Sequence, residues 1–254
     1  MLRTISSGRV TLSIGRGSGS SAATSFRFSS PLLKNLPIMP GMKRPKPSEL
    51  RETFRVSITE GVFAQVYTSL AGPGSVFLTK LLTVLGATPS QFGMLSAIGQ
   101  LSMVLQPLGA LVTRRMTHHR ISTVRWAAAG RGLTPLLGIL PLILAPDSAL
   151  TGVLWVFAVA TALMSVSANI WTGWIARMVP LRIRGRFFAR RNSILVSFGL
   201  AVAFIAGIVV DSAGTDTEEL KTILLWVFSL AGVIGLSGLA ILLKQPERPT
   251  SKQD

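Results

Sequence analysis

The 254-residue chain contains no cysteine. That excludes a disulfide framework, a thiolate metal site and a cysteine nucleophile, and leaves the redox compartment open. Acidic residues are scarce, ten against 26 Lys and Arg, for a formal net charge of +16. On a soluble protein that excess would argue for a polyanionic partner. The only two histidines, His118 and His119, are adjacent in a basic connection. No third histidine or carboxylate lies near them, so no metal site is expected. There is no Gly-Lys-Ser/Thr phosphate-binding motif, so the chain is not expected to hydrolyse ATP. Hydrolysis within a bilayer would need a serine with a histidine, or paired carboxylates. Glu60 is the one acid clearly inside an apolar run, and neither an enzyme nor a cofactor is expected.

What the chain does have is apolar length. Hydrophobic residues make up 48% of it and charged residues 14%, a balance that places it among membrane proteins. Six apolar runs follow one another at about 58–85, 91–112, 124–144, 150–175, 193–210 and 222–243. A helix needs about 20 apolar residues to cross about 30 Å of hydrocarbon, so the fold class expected is an all-α membrane protein with six transmembrane helices over 48–244. The first 47 residues are basic and rich in Ser and Gly, with Glu49 the first acid of the chain. They read as a disordered tail, with an organellar transit peptide as the alternative; a polar tail occupies 245–254. No secretory signal is expected, because no apolar core follows the early arginines.

The connections carry a regular charge pattern. Lys and Arg number ten before the first run, none after it, four from Arg114 to Arg125, none near Asp147, six after the fourth run, one against four acids after the fifth, and three in the tail. By the positive-inside rule both termini and both basic connections are cytoplasmic. Six helices are what such an arrangement requires. The densest basic stretch, between Asn169 and Asn192, holds Arg177, Arg182, Arg184, Arg186, Arg190 and Arg191 with aromatic neighbours. In isolation it would suit a nucleic acid; between two spans it is a cytoplasmic loop, and no nucleic-acid partner is expected. Pro180 should end the helix before it, Arg184-Gly185-Arg186 should turn the chain, and Arg190-Arg191 should start the next helix.

Polar residues inside the runs mark candidate cavity positions. These are Glu60, Gln65 and Tyr67 near the start of the first run, Arg131 in the third and Asn169 near the end of the fourth. A charge at the depth of Arg131 costs about 2.5–3.5 kcal/mol on insertion scales unless it finds a partner or water. Glu60 and Arg131 both lie toward the cytoplasmic ends of their helices, which leaves an ion pair between them open; a separation beyond about 10 Å would end that pairing. Gly72-Pro73-Gly74 interrupts the first run at its centre, and reads either as a discontinuous helix of the kind that builds transporter sites or as an ordinary kink. Gly93 with Ala97, and Gly199 with Ala203 and Gly207, offer smooth stripes for close helix packing.

With these features in place, the chain from about Ser48 to Leu243 resembles the amino-terminal half of a major facilitator superfamily transporter. Pro180, Arg184 and Gly185, continuing through Arg186, match that family's signature between helices four and five. The family's motif between helices two and three is partly kept: Gly109 and Arg114 match, whereas its Asp is Thr113, its second Gly is Met116 and its basic pair is His118-His119. The resemblance implies half of a two-part bundle, itself a 3+3 inverted repeat, with these motif residues at a cytoplasmic gate. The missing Asp puts a conventional gate in doubt. The implied activity is secondary transport of a small solute by alternating access, as a half transporter or fragment. The cavity would be lined by Glu60, Gln65, Tyr67, Arg131 and Asn169. A second six-helix half, from another copy or another chain, would complete it. The expected location is the bacterial cytoplasmic membrane, with an organellar inner membrane as the alternative. The competing readings are a non-transporting subunit or regulator whose basic loops bind anionic lipid, and an inactive truncated transporter. The permease half of an ATP-driven exporter would need helices running well past the membrane, for which these connections read as too short.

Overall fold

A computed structural model describes residues 47–104, 118–212, 217–245 and 247. Among them every regular element is an α-helix: α1 (Pro47–Ala71), α2 (Val76–Val84), α3 (Pro89–Val104), α4 (His119–Gly132), α5 (Thr134–Ile143), α6 (Pro146–Met178), α7 (Leu181–Ser212) and α8 (Thr217–Leu242). Most of the two expected tails, and the motif residues Gly109 and Arg114, lie outside the described residues. Four segments are long and apolar enough to cross a membrane: His119–Ile143, which joins α4 and α5, then α6, α7 and α8. A helix suits that role because it satisfies its backbone hydrogen bonds within itself, which lipid cannot do for it.

The first run departs from a simple span. Its polar start and its apolar part form one helix of 25 residues, α1, which stops at the Gly-Pro-Gly interruption, and α2 resumes with nine. The interruption is a break rather than a kink. Gly74 takes φ +81°, a left-handed conformation that glycine adopts without steric cost. The backbone groups freed there find partners: Gly72 N–H donates to Thr68 O at 2.9 Å and Ser75 N–H to Gly72 O at 3.0 Å. The Ser75 hydroxyl donates to Leu70 O at 2.6 Å.

The arginine-rich stretch is not the loop expected from the sequence. Arg177 is in the last turn of α6, the chain reverses at Val179-Pro180, and the other five arginines lie within α7. Proline at the start of a helix loses nothing, since its missing N–H would be unpaired there anyway, and Pro180 O accepts from Ile183 and Arg184 N–H, each at 3.1 Å. From Leu181 onward arginine sustains the helix as a good helix former. Hence α7 starts at Leu181, well before Arg190-Arg191, and Arg184-Gly185-Arg186 does not form a turn. The helices α6 and α7, with 33 and 32 residues, reach about 50 Å at ~1.5 Å per residue. That is well beyond ~30 Å of hydrocarbon, so short connections do not count against the exporter architecture at this hairpin.

The main core joins α1, α2, α5, α6 and α8 through Leu70, Phe77, Leu81, Leu137, Phe157 and Phe228. The last helix, α8, lies along α1 and α5; α4 packs on α6, and α1 on α7. Close contact relies on Gly235 and Gly238 of α8, where a Cβ would come within 3.0 Å of Tyr67 and 2.6 Å of Phe63. Of the expected stripes, Gly199 does meet α1, its Cβ position being 2.7 Å from the Ser69 hydroxyl, whereas Gly93 and Gly207 face open space.

Candidate functional site: a buried ion pair behind a hydroxyl-lined cavity

Glu60 of α1 and Arg131 near the end of α4 meet in the interior. Arg131 Nη2 lies 3.2 Å from Glu60 Oε1, with side-chain exposures of 4% and 6%. Arg131 Nη1 donates to Gly235 O at 2.6 Å, an approach open because residue 235 carries no side chain. The guanidinium stands 5.6 Å from the centroid of the Tyr67 ring, within range of a cation–π attraction. Each charge is therefore matched, as burial in apolar surroundings demands.

Beyond Tyr67 the helices part. A cavity of about 230 Å³ lies between the α1–α2 break, α3, α5 and α6. Its polar lining is hydroxyl: Tyr67 and Thr68 of α1, Ser102 of α3, Thr134 of α5, and Thr161 and Ser165 of α6. Met103, Leu137, Phe157 and Met164 supply apolar wall, and Gly72-Pro73 forms one edge. Thr134 donates to the Tyr67 hydroxyl at 3.2 Å. Tyr67 thus joins the two features, with the face of its ring toward Arg131 and its oxygen at the cavity. Helix α3 is pressed to the break, since a Cβ on Gly99 would sit 3.3 Å from Pro73 Cβ.

Of the five cavity residues expected from the sequence, only Tyr67 lines this space. Glu60 and Arg131 sit behind it as a closed pair. Gln65 turns to the α7 side, its Nε2 3.5 Å from Ser69 Oγ, where it packs over Gly199. Asn169 donates to Ser165 O of its own helix at 3.2 Å and is not among the residues lining the cavity. The hydroxyls of Ser102, Thr134, Thr161 and Ser165 were missed, although Thr161 and Ser165 are four apart on one face of an apolar run.

The motif residues that are described act on helix ends and surfaces. Arg184 bonds back to α6, donating to Ala176 O and, at 3.3 Å, to Val179 O; it thereby closes the α6–α7 hairpin. Gly185 and Arg186 are exposed, and Pro180 is half-buried. Arg191, expected from the sequence to start a helix, reaches into the bundle. Its Nε donates to Ser57 O at 3.2 Å, its guanidinium lies 4.3 Å over the Trp171 ring, and it covers Gly61, where a Cβ would be 2.7 Å from Nη2. At the end of α8, Arg120 holds the departing chain through Leu243 O at 3.2 Å and Gln245 O at 3.3 Å, while its backbone N–H donates to Glu247 Oε1 at 3.0 Å.

Among the described residues no group of three or more His, Asp or Glu side chains is placed to hold a metal ion. What the site offers is recognition by hydrogen bonding. No protein-family model matches the chain, and no curated protein and no solved structure matches it. Fold and site together define a class, an all-α membrane protein with a charge-paired interior and a largely apolar cavity bearing several hydroxyls at a broken helix.

Proposed function

We propose that the protein is a six-helix half of a secondary transporter of the major facilitator type, moving a small solute by alternating access. Both termini would be cytoplasmic, and a second half would close the cavity. The observation that carries this reading is the cavity at the α1–α2 break. An interrupted helix whose backbone is satisfied locally, facing a pocket lined with hydroxyls, is a costly arrangement in lipid unless the pocket holds water or solute. The buried Glu60–Arg131 pair supports it, because ionisable groups within spans face bundle interiors and aqueous paths.

The absence of cysteine makes the test direct. Single Ser102→Cys and Ser165→Cys variants in liposomes should react with a membrane-impermeant maleimide added from the aqueous phase, from one side in one state and from the other in a second. If neither cysteine reacts from either side, the cavity is sealed and the transport reading is wrong.

A further inference from the structure

We propose that the cavity takes a small uncharged solute bearing several hydrogen-bond donors, of the polyol or small-amide class, and rejects ions; this rests on the transport reading above. Two observations lead there. First, among the described residues no charged side chain lines the cavity. The nearest buried charges, Glu60 and Arg131, are bound to each other at 3.2 Å, and neither lines the cavity. An ionised solute would give up its hydration with no counter-charge to replace it.

Second, three of the six lining hydroxyls commit their protons within the protein. A hydroxyl has one donor and two acceptor lone pairs. Thr68 donates to Ala64 O at 2.9 Å, Ser102 to Gly99 O at 2.7 Å, and Thr134 to the Tyr67 oxygen at 3.2 Å. These three present lone pairs to the cavity. The Tyr67 oxygen already accepts from Thr134, which leaves its own proton to give. Three fixed acceptors, one phenolic donor and the hydroxyls of Thr161 and Ser165 thus stand on a mostly apolar wall, the complement of a neutral solute bearing several hydroxyl or amide groups. An anion would meet lone pairs on three sides. The described walls bound about 230 Å³, room for a small solute.

The test is protection of the same engineered cysteines, in the full chain reconstituted in liposomes. Xylitol, glutarate and putrescine serve as neutral, anionic and cationic probes. Xylitol should slow maleimide labelling of Ser165→Cys at least fivefold, with no effect from glutarate or putrescine. It should leave a surface cysteine at the exposed Thr217 untouched. Adding Tyr67→Phe should abolish the protection while labelling itself persists; Ser102→Cys provides a second reporter should Ser165→Cys fold poorly. Protection by glutarate or putrescine, or a labelled cysteine that xylitol does not protect, overturns the assignment of the solute class and leaves the transport reading standing. A cysteine unreactive from both sides overturns the two together.

Discussion

At the scale of single residues, the Glu60–Arg131 pair is where the interior is most sensitive. Removing one member of a buried pair strands the other charge, at a cost of about 3–5 kcal/mol, whereas replacing both can be neutral. Glu60→Gln and Arg131→Met should each lower thermal stability in detergent strongly, and the double variant should recover much of the loss. Equal, additive losses in that double-mutant cycle would show that the pair is not coupled. This contact was legible in the sequence, because two opposite charges inside apolar runs at similar depth have few other ways to be satisfied. Gln65 and Asn169 were equally visible as polar residues, yet polarity only says that a side chain avoids lipid. Each finds one partner on its own helix, Ser69 for Gln65 and Ser165 O for Asn169.

At the scale of elements, the α6–α7 hairpin shows how composition can disguise helix as loop. Arginine density marked a connection, but the reversal needs only Val179 and Pro180, and the arginines continue the helix. The structure also separates two neighbouring arginines, Arg184 and Arg186. Arg184 caps the end of α6 through Ala176 O and Val179 O, whereas Arg186 is exposed. Hydrogen bonds from a charged donor are worth about 1.5–3 kcal/mol, and exposed substitutions away from such features stay within about 0.5 kcal/mol. Arg184→Gln should therefore lower thermal stability clearly while Arg186→Gln does not; equal effects would contradict the capping role. The helix break was legible in Gly72-Pro73-Gly74, but the choice of break over kink was made by Ser75, whose hydroxyl takes Leu70 O and lets the chain restart.

At the scale of the whole molecule, the charge alternation along the chain predicts that both termini share the side of the membrane that carries the basic connections. Reporter fusions at the two ends should report the same compartment; opposite compartments would require an odd number of spans and end the six-helix proposal. Length and apolar composition are local properties, and they determined that this is an all-α membrane protein whose interior must pair its charges. They also located the interruption in the first run. Only the tertiary structure decided which hydroxyls meet, bringing Thr134 of α5 to Tyr67 of α1 and Ser102 of α3 to the cavity that Thr161 and Ser165 share. The reason is physical: a serine or threonine in a helix can satisfy itself on its own backbone, so its presence in an apolar run carries no information about a partner. Convergence depends on how helices cross, and that is set by close approaches such as Gly235 on Tyr67 and Gly99 on Pro73, between segments far apart in the chain.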